Sequence, residues 1–152
     1  MIHTVVNKRK IIADPKLLFQ LIIDCEKWPD FVPECLSVKI LKREGQNYLR
    51  HLKSRVSGKV VEMDTYCEIF TNELKMKFRQ ISSPWPLKSN EGEWYLVKKD
   101  GKTVEMVLIH RFENKYGLLG DLFASLIMSP FFIHKHGEFV LNAFERKMQK
   151  VG

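Results

Sequence analysis

The chain has 152 residues, 45% of them hydrophobic and 28% charged, with 25 basic side chains against 18 acidic ones for a net charge of +7. That length suits one domain spanning 1–152 with a core of its own, and the composition is ordinary for a globular protein. The basic excess is scattered, whereas a nucleic-acid footprint gathers its cations on one face, so nucleic acid is disfavoured and an anionic ligand or acidic partner protein stays compatible.

Three cysteines, Cys25, Cys35 and Cys67, are an odd number without Cys-x-x-Cys spacing or a nearby histidine pair. This argues against a disulfide framework and against a zinc site. The first ten residues hold no apolar core of signal-peptide length. The greasiest run, 118–133, carries Asp121 and Pro130 and is short for a bilayer. A cytoplasmic protein without a membrane span is the expectation.

In chain order, residues 2–12 alternate and are rich in β-branched types, which predicts an opening strand. Asp14-Pro15 can cap and start a helix, whose apolar face is Leu17, Leu18, Leu21 and Ile22 and which ends near Asp24. Trp28-Pro-Asp-Phe31-Val-Pro33 then forbids a long helix and predicts a compact turn or second short helix. From Leu36 to Phe112 the texture is that of strands: 36–43, 48–57, 60–70, 74–81, 93–98 and 103–112. They are separated by turn sequences, among them Lys99-Asp-Gly-Lys102. Tyr116–Lys150 reads as one long helix with a kink or break at Pro130. Its second half carries a stripe through Val140, Phe144 and Met148. Its first half, 118–128, is greasier than packing on one sheet requires and predicts a cavity wall or entrance. Consecutive strands on short turns imply an antiparallel meander that must curl around something, and the last helix has the length to fill it.

This order resembles the helix-grip superfamily, which includes START domains and polyketide aromatase/cyclases. Three stretches carry the likeness: Asp14 to Pro33; Glu91-Gly-Glu-Trp94 with Gly101-Lys-Thr-Val and His110-Arg-Phe112; and the closing helix with Phe131-Phe132 and Phe144-Glu145. The segment Trp28-Pro-Asp-Phe-Val-Pro-Glu-Cys35 is also similar to the coenzyme Q-binding branch. The resemblance implies an α+β fold in which a curved antiparallel sheet of about seven strands wraps around a long C-terminal helix. Two short helices follow the first strand, and the fold encloses an internal hydrophobic cavity. It implies binding of a hydrophobic, polyketide-like ligand and its cyclisation and dehydration, with no metal or redox cofactor and with an acyl carrier protein as a fitting partner. A non-catalytic lipid or quinone carrier is the alternative, and a ribosome-associated interaction module a further one. Oligomeric state is left open, a dimer included.

For the site, the ligand-binding set is Trp28, Phe31, Tyr66, Phe78, Trp94, Met106, His110, Leu122 and Leu126. Trp28 and Phe31 lie on the turn expected at the pocket mouth, and Trp94 matches the family's pocket tryptophan. His110 shares the inward face with Val104, Met106, Leu108 and Phe112 and could serve as a base near neutral pH; Tyr66 could donate a proton. Family cyclases carry a Ser-x-Arg pair in a middle strand. This chain has Asp64-Thr65-Tyr66 there, so the cation must come from Arg50, Arg55, Arg79 or Arg111, of which Arg79 and Arg111 alternate with apolar residues and should face solvent. His51, His134 and His136 read as surface or helix-end residues.

Overall fold

The computed structural model describes residues 2–56, 58–81, 87–114 and 133–151. Seven strands form one sheet: β1 (Ile2–Ile12), β2 (Cys35–Glu44), β3 (Asn47–Val56), β4 (Lys59–Phe70), β5 (Lys75–Gln80), β6 (Leu87–Lys98) and β7 (Thr103–Asn114). All neighbours are antiparallel, in the order β1-β7-β6-β5-β4-β3-β2. The meander from β2 to β7 is thus extended by the first strand, which joins β7 at the far edge.

Asp14 caps helix α1 (Pro15–Ile23) by accepting a hydrogen bond from the Lys16 amide at 2.8 Å, with Pro15 in the first turn where its missing donor costs nothing. A 3₁₀ helix over Cys25–Asp30 follows. Helix α2 (His134–Val151) buries Val140, Leu141, Phe144 and Met148, spaced to make one face, against the inner side of the sheet. This is the α+β helix-grip arrangement.

Strand β1 fastens α2 by its polar inward residues. Asn7 donates to the His134 carbonyl at 3.0 Å and to Glu138 Oε1 at 2.8 Å. Arg9 donates to Asn142 Oδ1 at 2.8 Å and to Glu145 Oε1 at 3.2 Å. Gly137 faces Asn7 so closely that a Cβ there would run into the Asn7 side-chain amide.

Most strand ends fall within two residues of the sequence expectation, and two of the differences have a readable cause. Leu74 takes φ 51° and turns the chain, so β5 begins one residue later, at Lys75. Strand β6 begins at Leu87 instead of Glu93. Its inward positions there are Asn90 and Gly92, neither of which looks like the apolar half of an alternation. Residues 115–132, with Leu118, Leu122, Leu126 and Pro130 of the expected long helix, lie outside the described residues.

Candidate functional site

Alternation along the strands sends one side chain in two to the face beneath α2. Four aromatic residues dominate its centre. Trp28 and Phe31 arrive from the 3₁₀ segment, Trp94 from β6 and Phe144 from α2. The Phe144 ring lies 5.9 Å from Trp28, 5.0 Å from Phe31 and 5.3 Å from Trp94. The two indoles are 6.0 Å apart, and Trp28 Nε1 donates to the Leu21 carbonyl at 3.1 Å. These spacings are those of well-packed aromatic pairs.

Arg50 of β3 enters this apolar ground. It is 6% exposed, and its guanidinium carbon sits 4.6 Å above the Trp28 ring. Around it lie Tyr48 and the three cysteines, all buried as free thiols. Burial raises the acid pKa of three of these neighbours, the Cys35 thiol to about 11 and the Cys67 thiol and the Tyr48 hydroxyl upward as well. They are therefore neutral and do not cancel the positive charge. Burial works against the charged guanidinium, but an arginine stays protonated in any protein setting. Its Nε and Nη1 are buried without a hydrogen-bond partner, and among the described residues no carboxylate pairs with it. A buried cation with idle donors is costly to keep, and it is the kind of group that a ligand oxygen satisfies.

Further unpartnered atoms share this face. Gln80 Oε1, Asn90 Oδ1 and His110 Nδ1 are all buried without a donor or acceptor opposite them. The ladder explains their proximity: Arg50 lies opposite Thr65, Thr65 opposite Gln80, and Asn90 opposite Phe112. His110 is one pair along from Phe112, opposite Gly92, with Phe78 edge-on at 5.5 Å between ring centroids. Burial of the His110 ring, helped by opposition from His136, lowers its pKa to about 3, so it is neutral at physiological pH.

The residues singled out in the sequence divide accordingly. Trp28, Phe31, Phe78, Trp94, Met106 and His110 are together on the inner side, where Trp28, Phe78, Trp94 and Met106 are buried. Leu122 and Leu126 lie outside the described residues. Tyr66 is a correction. It alternates with buried Thr65 and Cys67 and therefore points to the outer face, where it lines a groove of about 390 Å³ with Glu68, Lys77, Arg79, Glu91 and Arg111. The charges in that groove pair across strands, as in the Arg111–Glu93 contact at 3.0 Å, so it suits water better than an apolar ligand. His136 lies in the first turn of α2, as a helix-end residue, where it is half-buried and close enough to His110 to oppose its protonation. Of the four candidate cations, Arg50 alone is buried. Gln80 and Asn90 escaped notice because a lone amide in a strand carries no distinctive pattern. The alternation itself, counted outward from Met76 and Trp94, would have placed both inward.

Residues 11–129 match the protein family described as polyketide cyclase/dehydrase and lipid transport. The chain is 28% identical over 110 residues to the actinorhodin polyketide synthase bifunctional cyclase/dehydratase of Streptomyces coelicolor, covering 72% of this chain and 34% of that protein. It is 31% identical over 111 residues to the granaticin counterpart of Streptomyces violaceoruber, covering 72% and 33%. The chain thus spans about a third of the length of these relatives. In fold it is similar to the Zhui aromatase/cyclase of a Streptomyces species, with TM-score 0.86 at 18% identity over 99% of this chain and 95% of that one. It is also similar to a START superfamily protein of Mycobacterium smegmatis, with TM-score 0.83 at 16% identity over 99% of both chains. Sheet, gripping helix and sequence match agree: the chain has a helix-grip fold and belongs to the polyketide cyclase/dehydrase family.

Proposed function

We propose that this protein binds an aromatic or poly-keto ligand of polyketide type against the inner face of its sheet and promotes its cyclisation and dehydration. The observation that carries the reading is Arg50, a buried guanidinium whose Nε and Nη1 have no protein partner. A ligand carbonyl accepting from those donors gains a charge-assisted hydrogen bond. The bond strengthens as the oxygen becomes an enolate, which is when an aldol closure needs stabilisation. In that closure a proton leaves the carbon beside the carbonyl, the new carbanion attacks a second carbonyl, and the resulting alkoxide is protonated. Loss of water then gives the conjugated ring. His110, neutral and on the same face, is the group proposed to carry the proton from carbon to oxygen. Tyr66 has no part, since it faces the other side of the sheet.

One observation favours a second reading, a carrier of a quinone-like molecule. Burial leaves His110 a weak base, which suits holding a carbonyl compound better than deprotonating it. An aromatic 1,3-diketone probe, read by quenching of tryptophan fluorescence, tests the shared binding claim. Arg50→Met is expected to weaken it about ten- to a hundredfold, the value of a hydrogen bond to a charged group. Unchanged affinity would sink the reading. Closure of a 1,3,5-triketone to a dehydrated six-membered ring by wild-type protein, lost in His110→Gln, separates enzyme from carrier.

A further inference from the structure

The unpartnered atoms of the inner face are not of one kind. At the β3 end stand donors, Arg50 Nε and Nη1; at the β5–β6 end stand acceptors, Gln80 Oε1 and Asn90 Oδ1. The Gln80 amide nitrogen faces Met63 Sδ, and its oxygen has no partner. The β5–β6 ladder ends at Arg79 opposite Glu91, and one further step in that register would set Gln80 beside Asn90 at one spot on the inner face. With strands about 4.8 Å apart, that spot lies some 10 to 14 Å from Arg50 across β4 and β5. Each oxygen is shielded from water, and a buried carbonyl oxygen without a donor is a rarity that calls for a cause.

We propose that Gln80 and Asn90 are specificity residues that read hydroxyl donors on the ligand, so that the site orients an enolic or phenolic molecule with its carbonyl on Arg50 and its hydroxyls at the β5–β6 end. This rests on the binding reading given above and adds to it a direction and a tautomer. A ketone oxygen set against Gln80 and Asn90 would bring lone pairs against lone pairs. An enol or phenol there places O–H groups on both. The β5–β6 end therefore favours the enolised, aromatised form, while Arg50 favours the ketone or enolate at the other end. A ligand entering in reverse leaves the Gln80 and Asn90 oxygens without donors, and a site built to hydrogen-bond a hydroxyl rejects the analogue that lacks it. Gly92 contributes room. It is the inward residue after Asn90 on β6, and a Cβ there would strike the Ile109 carbonyl and the Phe78 ring.

The test compares a trihydroxyanthraquinone with its trimethyl ether by quenching of tryptophan fluorescence. The two share the ring system and carbonyls; the ether replaces each hydroxyl donor by a methoxy group, so the Leu variants separate the lost donor from the added methyl. Wild-type protein is expected to bind the hydroxylated probe at least about tenfold more tightly, one good hydrogen bond's worth. In Gln80→Leu and Asn90→Leu the preference is expected to fall to about threefold or less, with affinity for the ether unchanged or improved. Both variants are expected to melt no lower than wild type, because each removes a buried acceptor without a partner. Equal binding of the two probes by wild type overturns the proposal, and that comparison does not depend on any variant folding. If Arg50→Met still weakens both probes in that case, the broader binding reading stands; if neither probe binds, both fall. A preference retained in full by both variants also overturns the assignment to these residues.

Discussion

Replacing Arg50 by methionine is expected to make the protein more stable. Keeping an ion out of water costs several kcal/mol even after relaxation and water penetration. Against that cost stands the contact with Trp28, whose ring is 4.6 Å from the guanidinium, worth about 2 kcal/mol when desolvated. The usual remaining compensation, a carboxylate or a full set of hydrogen bonds, is missing: Nε and Nη1 are idle and the neighbouring thiols and phenol are neutral. Methionine has similar length, no charge, and a sulfur that packs well against an indole. The balance is a gain of about 1–3 kcal/mol, within the range seen when buried ionic groups give way to apolar ones. At about 2–4 °C per kcal/mol for a chain of this size, Tm should rise by roughly 2–10 °C. Urea unfolding at pH 7 gives the free energy, with an unchanged m value showing that the unfolded state is not the cause. A loss of 2 kcal/mol or more would refute the reasoning, since it would mean that Arg50 holds the fold together and is not waiting for a ligand.

Other outcomes follow from the same geometry. Gly137→Ala should cost about 1–3 kcal/mol in urea unfolding, because the added methyl meets the Asn7 amide that anchors α2. The pKa of His110, lowered by burial to about 3 from an unfolded value near 6.5, means that the folded state binds fewer protons between those limits. Its contribution is therefore complete above pH 6.5 and is lost as pH falls, about 2 kcal/mol by pH 5. His51, whose pKa is raised by Asp64 and Glu62, works in the opposite sense, so the clean measurement is the flatter pH 7 to pH 5 stability difference of His110→Gln against wild type. Tyr66→Phe should leave diketone binding within about twofold and stability within about 0.5 kcal/mol, since the hydroxyl lies on the outer face; a tenfold loss of binding would return Tyr66 to the site.

The fold was legible because its signals are local and repeated. Asp14-Pro15 starts a helix by hydrogen bonding and ring geometry alone, and the Val140, Phe144 and Met148 stripe needs no partner to be recognised. Where reading the sequence fell short at β6, a position of the proposed site stood in the way. Strand β6 looked as if it began at Glu93 because Asn90 and Gly92 interrupt the apolar alternation, and those are the positions where the sheet offers an oxygen and makes room. Tyr66 attracted attention for its chemistry, while its phase in β4, one step from buried Thr65 and Cys67, already sent it outward. Local rules tend to fail at sites for this reason: a side chain kept for a ligand is one that the core would not have chosen.

Arg50 is placed to serve as the displaced cation of the proposed site. Family likeness directs attention to Asp64-Thr65-Tyr66 on β4, which lacks an arginine. Arg50 stands on the neighbouring strand, and its partner in the ladder is Thr65, the middle residue of that segment. A charge moved from β4 to β3 at one level of the sheet shifts by a single strand spacing, about 4.8 Å, less than the reach of an arginine side chain. Facing pairs point to the same side, so buried Thr65 also marks Arg50 as inward. Sequence spacing counts residues along one strand and cannot register a move across the ladder. On the proposed reading the cation is supplied from β3, on the rung that Arg50 shares with Thr65 of β4.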